Sequence, residues 1–111
     1  MSTTRIHPAV FTASTTSAVV DLGEGALVGL ELPSGFAGTT CSFQGSNDGV
    51  TFQDVWYVSA TQVAAILTLT TLAASKNYTL SPDLLAGFRY LKLVAGSGTY
   101  TVNCIARSLW G

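Results

Sequence analysis

Charge is what this sequence has least of. Asp, Glu, Lys and Arg make up 10% of its 111 residues, against about 25% in an ordinary soluble domain. The formal net charge is −1, and the basic residues form no block. That excludes a surface that tracks nucleic-acid phosphates and electrostatic attachment to a membrane. His7 is the only histidine, so any Ser-His-Asp or Cys-His constellation would depend on it. No carboxylates pair at a defined spacing. Asp21 and Glu24 flank a Gly-rich turn, and Gly23-Glu24-Gly25 matches no phosphate loop. With no catalytic motif, the expectation is a non-enzyme without cofactor or metal. The two cysteines, Cys41 and Cys104, fit no zinc spacing. They alternate with apolar neighbours in predicted strands and read as buried thiols, with a disulfide or a reactive site as alternatives. The longest apolar stretch, Val63 to Ala74, is interrupted by Thr68, Thr70 and Thr71. It is too short for a membrane helix, which needs about 20 residues. The N-terminus lacks the apolar core of a secretory signal, which points to synthesis in a cytosol, where thiols stay reduced.

Apolar residues make up 48% of the chain, which excludes general disorder. The length suits one domain, with roughly 5,800 Å² exposed once folded. Surface polarity comes from hydroxyls instead of charge: Thr occurs 15 times and Ser 11 times. Thr fits a pleated face, so one reading is a β protein with a Thr-covered exterior. The other is an exterior covered by neighbours, because scattered charge is the usual defence against self-association.

Period two dominates the pattern. Strands are predicted at Ala9–Ala13, Ser17–Leu22, Ala26–Leu32, Thr39–Gly45, Val50–Tyr57, Gln62–Thr70, Phe88–Val94 and Thr99–Arg107, with Tyr78–Leu80 a short extended piece. The stretch from Gln62 to Thr70 also fits helical spacing, but its threonines favour strand. Asp48-Gly49 supplies the left-handed positions of a tight turn, making residues 39–57 a β-hairpin. Ser81 to Gly87 reads as one helical turn near 82–87, with Ser81 as cap, Pro82 at the first position and Gly87 as stop. Ala95-Gly96-Ser97-Gly98 reads as a turn between the last two strands. Residues 1–8 read as a flexible arm, and 9–111 as one domain. The class is all-β: a single-domain antiparallel β-sandwich or jelly roll of seven to eight strands.

Three segments carry a family resemblance. Phe43-Gln44-Gly45-Ser46-Asn47-Asp48-Gly49-Val50-Thr51-Phe52 resembles the Ser-x-Asp-Gly hairpin of discoidin-like or galactose-binding-like jelly rolls. Phe88-Arg89-Tyr90-Leu91-Lys92-Leu93 is similar to a later strand of the same folds. The segment from Tyr78 to Gly87, with Gly29 to Pro33 ahead of the hairpin, resembles a group of small tailed-phage virion proteins. The resemblance spans residues 26–95. It implies a β-sandwich virion protein, a capsid decoration (cement) subunit or another head or tail component. Such a subunit would be made in the bacterial host cytoplasm. It would pack against the major capsid protein and against itself, as a homo-oligomer such as a trimer at local three-folds. No sugar site can be matched residue by residue.

The candidate interface residues are Arg5, Ile6 and His7 of the arm, Trp56 and Tyr57, and Leu109 and Trp110 of the tail. Trp56-Tyr57 can be core packing, an interface anchor or a sugar-stacking platform. Trp110 can pack on its own domain or on a neighbour. Asp48 and Gly49 are turn residues; a calcium ligand is the lesser reading of Asp48. Two functions compete: a structural virion subunit, which buries surface against its neighbours, and a carbohydrate-binding module or tail adhesin, which binds a glycan on an exposed aromatic shelf.

Overall fold

A computed structural model describes residues 4–82, 85 and 87–108. Among them the chain forms ten strands and no helix. They are β1 (Thr4–Thr16), β2 (Val20–Asp21), β3 (Gly25–Glu31), β4 (Cys41–Ser46), β5 (Gln53–Asp54), β6 (Trp56–Val58), β7 (Ala64–Ile66), β8 (Thr68–Leu69), β9 (Asn77–Thr79) and β10 (Tyr90–Ser108). All pairings are antiparallel.

One strand organises the molecule. The first part of β10 pairs with β4, Tyr90 opposite Ser46 through Val94 opposite Ser42, and with β2 on its other side. Its later part pairs with β1 on one side and β3 on the other. The chain does not turn back at Ala95–Gly98, as expected from sequence, but bends and runs on. Glycine inside a strand marks a bend or a close backbone approach, and here it is both. A Cβ on Gly96 would collide with the Ala37 carbonyl oxygen, and the Gly96 N–H donates to that oxygen at 3.2 Å. The Tyr100 hydroxyl donates back to the Gly96 carbonyl at 2.6 Å. β1 follows the same bend, with register shifts between Phe11 and Ser14 and between Ser14 and Thr16. The result is a β-sandwich whose two layers share β10.

The core lies between those layers. Leu91 and Leu93 come from the first part of β10, Val102, Cys104 and Ala106 from the later part, and Phe11, Leu27, Leu30 and Phe43 from their partners. Phe11 stacks on Tyr100 with ring centroids 4.6 Å apart, and Phe36 meets the same ring edge-on at 5.5 Å. Each large side chain so buried contributes roughly 1.5–3 kcal/mol. Ser17 is buried yet satisfied: its Oγ accepts from the Leu93 N–H at 3.0 Å and donates to the Ala18 carbonyl at 2.8 Å. Cys41 and Cys104 are free and buried. Burial pushes both thiols up to about 12, so neither is a thiolate near neutral pH.

Four expectations need correction. The arm does not extend to residue 8, because β1 begins at Thr4 and pairs with Arg107 from there. Pro8 is accommodated since β1 is an edge strand, where a missing N–H costs nothing. The hairpin at 39–57 closes not on a two-residue turn but on a loop over residues 46–52, with Gln44 opposite Asp54 and Gly45 opposite Gln53. The strand expected from Val50 to Tyr57 breaks into β5 and β6, and the one from Gln62 to Thr70 into β7 and β8. The helical turn near 82–87 falls partly outside the described residues, and none of its described positions is helical.

Candidate functional site

The breaks around β6 and β7 build the most unusual surface of the molecule. β5 and β8 both pair along β4, at Gln44–Gly45 and at Cys41–Ser42. Between them the chain leaves the sheet as a separate two-stranded hairpin. Val55 and Leu67 form its base and are 4% and 6% exposed. The Leu67 N–H donates to the Val55 carbonyl at 2.9 Å, and the Val55 N–H to Phe43 at 2.9 Å. Beyond that base Trp56 pairs with Ile66, Tyr57 with Ala65 and Val58 with Ala64. Directly opposed residues share a face, so Trp56, Val58, Ala64 and Ile66 form one apolar face. It is open to solvent: Trp56 is 59% exposed, Val58 64%, and Val63 beside them 60%.

The tip is held by its own polar groups. The Ser59 N–H donates to the Val63 carbonyl at 3.0 Å, and the Gln62 N–H to the Ser59 carbonyl at 2.9 Å. The Ser59 and Thr61 hydroxyls lie 2.9 Å apart. Gln62 takes the left-handed conformation, φ 67°, usually left to glycine. From Val55 to Ser75 the sequence carries no charged residue. An isolated two-stranded hairpin is marginally stable in water. This one is preorganised, uncharged and uncovered.

The N-terminal candidates lie elsewhere. Arg5 and His7 line a cleft of about 380 Å³ with Asp21, Glu24 and Arg107. Arg89 grips Asp21 there, Nε to Oδ1 at 3.0 Å and Nη2 to Oδ2 at 3.2 Å. This grip, with the Gly23 N–H on Oδ1 at 2.8 Å, holds the Asp21 carboxyl below its usual range. Ile6 is exposed and, one residue out of phase, faces away from Arg5 and His7. Leu109 and Trp110 lie outside the described residues.

Asp48 is occupied with its own loop. Its Oδ1 accepts the Val50 N–H at 2.8 Å, the Thr51 N–H at 2.9 Å and the Ser46 hydroxyl at 2.7 Å. These donors pull its carboxyl down to about 2. Gly49 beside it has φ 78°. Among the described residues no three His, Cys, Asp or Glu side chains gather as a metal site.

Sequence reasoning singled out Trp56 and Tyr57 but not the hairpin they stand on. The signal was present in the run from Val55 to Ser75, too apolar for a solvated loop and without charge. It also passed over Asp21 and Glu24 as cleft residues, because what brings them to Arg5 is the long-range pairing of β1 with β10.

No protein-family model matches the sequence, and no curated protein does. Solved structures do resemble the fold. A protein derived from the SPBc2 prophage, YomS, superposes with a TM-score of 0.62 at 12% identity, over 97% of this chain and 96% of that one. CBM32-1 from a family 31 glycoside hydrolase of Clostridium perfringens gives a TM-score of 0.51 at 16% identity, over 93% of this chain and 75% of that one. At such identities the likeness is one of fold, and it agrees with the β-sandwich expected from the sequence.

Proposed function

We propose that this chain is a non-enzymatic structural protein of a bacteriophage virion, a capsid decoration subunit. It assembles in the host cytoplasm by packing its hairpin 56–66 against other copies of itself in a symmetric oligomer and, through that oligomer, against the major capsid protein. The observation that carries this reading is the apolar face of Trp56, Val58 and Ile66, built outside the core and left uncovered by the described residues. Covering such a face is favourable by roughly 25 cal/mol per Å² of apolar area. The absence of charge from Val55 to Ser75 spares the interface the cost of desolvating ions. The preformed tip spares it much of the ordering cost. The near full-length likeness in both directions to a prophage-derived protein supports the phage setting.

The test is made on particles. Virions purified from a host expressing the tagged chain should carry it in many copies. Trp56→Asp should remove it while the soluble protein stays folded. Absence of the wild-type chain from particles would overturn the proposal.

A second reading, a glycan-binding module, is favoured by the likeness to CBM32-1 and by the exposed Trp56-Tyr57. A sugar site needs polar groups placed beside its apolar wall. Here Arg5, Asp21 and Glu24 sit in a cleft that Trp56 and Tyr57 do not line, and the polar groups nearest the hairpin in sequence are the exposed Gln53 and Asp54. Binding on a glycan array that is lost in Trp56→Ala would favour this second reading.

A further inference from the structure

We infer that the cleft beneath Arg5 and His7 is a binding site for a carboxylate group. The inference stands on the far end of β1 and does not rest on the virion reading.

The register of β1 shows why the cleft is not an accident of the surface. Phe11 lies opposite Tyr100, Ala9 opposite Val102, His7 opposite Cys104 and Arg5 opposite Ala106. Phe11, Ala9, Tyr100, Val102, Cys104 and Ala106 are all buried. Side chains two apart in a strand share a face, so half-buried His7 and exposed Arg5 carry the core-facing row on to its open end. The strand thus gives an imidazole and a guanidinium the positions where it elsewhere places phenylalanine and alanine. Ionisable groups at core-facing positions are exceptions to the pattern that folds a sandwich, and such exceptions gather at functional sites.

The polar groups there are only partly satisfied. Nε2 of His7 is shielded from solvent and has no hydrogen-bond partner, a state that costs free energy until something fills it. Asp21 is taken by Arg89 and by the Gly23 N–H. Arg5 lines the same cleft, and among the described residues the only ion pair is Arg89–Asp21. The Arg5 guanidinium and the His7 imidazole therefore border a space of about 380 Å³, within the size range of small-ligand pockets. A guanidinium fork matches a carboxylate in two parallel bonds. The two acids on the rim, Asp21 and Glu24, set the limit on ligand charge. Arg89 neutralises Asp21, so Glu24 is the rim acid left to oppose a ligand, and it opposes a phosphate dianion more than a single carboxylate.

The carboxylate can belong to a small free acid or to an acidic side chain of another protein. NMR titration at fixed ionic strength distinguishes them, with glutarate and a blocked tripeptide carrying a central glutamate as the two probes. Saturable shifts of the His7 ring and of the Gly23 and Gly25 amides are expected with at least one probe, and none with uncharged glutaramide. The probe that saturates at lower concentration identifies the source. Arg5→Gln should weaken binding by about tenfold, the loss of one charge-assisted hydrogen-bond pair. Unchanged methyl signals of Leu91 and Leu93 report that the variant is folded, and His7→Phe, read by the Gly23 and Gly25 amides, serves as a second variant. Shifts no larger than those from an equal concentration of sodium chloride, or binding unchanged in both variants, would overturn the inference.

Discussion

The sandwich body and the hairpin at 56–66 are made of the same residue types and meet opposite fates. In the body, alternating apolar residues such as Leu91, Leu93 and Phe43 are almost fully buried. In the hairpin, Trp56, Val58 and Ile66 alternate just as regularly and stand in solvent. Val55 and Leu67 mark the border between the two regimes within one residue on each strand. Alternation specifies a strand with an apolar face, but it does not say whose surface will cover that face. Where the second layer ends, the described residues leave the remaining face open.

The contrast can be sharpened by substitutions on either side of the border. The largest effect belongs to the body: Phe43→Ala removes a fully buried ring and should cost about 3–5 kcal/mol in urea unfolding. An equally drastic Trp56→Ala should cost less than about 1 kcal/mol, the scale of a lost cross-strand pair on a solvated surface. Equal losses would put the hairpin inside the core after all. Next comes the bend of β10. Gly96→Ala forces a Cβ against the Ala37 carbonyl and should cost about 1–3 kcal/mol by overpacking, measured in the same unfolding experiment. Gln62→Gly relieves a left-handed non-glycine residue and should gain up to about 1 kcal/mol, seen as a raised Tm with the hairpin face unchanged.

The smallest effect comes from the loop at 46–52, a protrusion that satisfies its own polar groups. The Asp48 carboxyl is held at about 2 by the Val50 and Thr51 N–H groups, against about 3.9 in the unfolded chain. Its folded-state value is depressed, so its contribution is complete above about pH 4 and is lost as pH falls through 2. The urea midpoint of Asp48→Asn should therefore fall less steeply between pH 4 and pH 2 than that of the wild type. Identical slopes would remove Asp48 as the loop's anchor.

The strands were legible because period two is local, and so was a reversal of the chain near Asp48-Gly49, though not the length of its loop. What escaped was set by distant partners. Gly96 and Gly98 suit a turn and a bend equally, and only the pairing of β10 with β4 before them and β1 after them makes the bend. Pro8 and the polar start of β1 looked like an arm because a proline is harmless on an edge strand. The candidate residues Arg5 and His7 were visible, but their chemistry depends on sharing the face of Ala9 and Phe11. That phase could be read only with the strand extended past Pro8. For Trp56 the open alternatives were core, interface and sugar platform, and the exposure of the hairpin removes the first.

Sedimentation equilibrium of the purified chain beside Trp56→Asp is the most direct test of the hairpin as a docking face. The wild type should associate reversibly into a discrete oligomer at micromolar concentration, and the variant should remain a folded monomer. A wild type that is monomeric at the highest attainable concentration, or a variant that associates as well as the wild type, would contradict it.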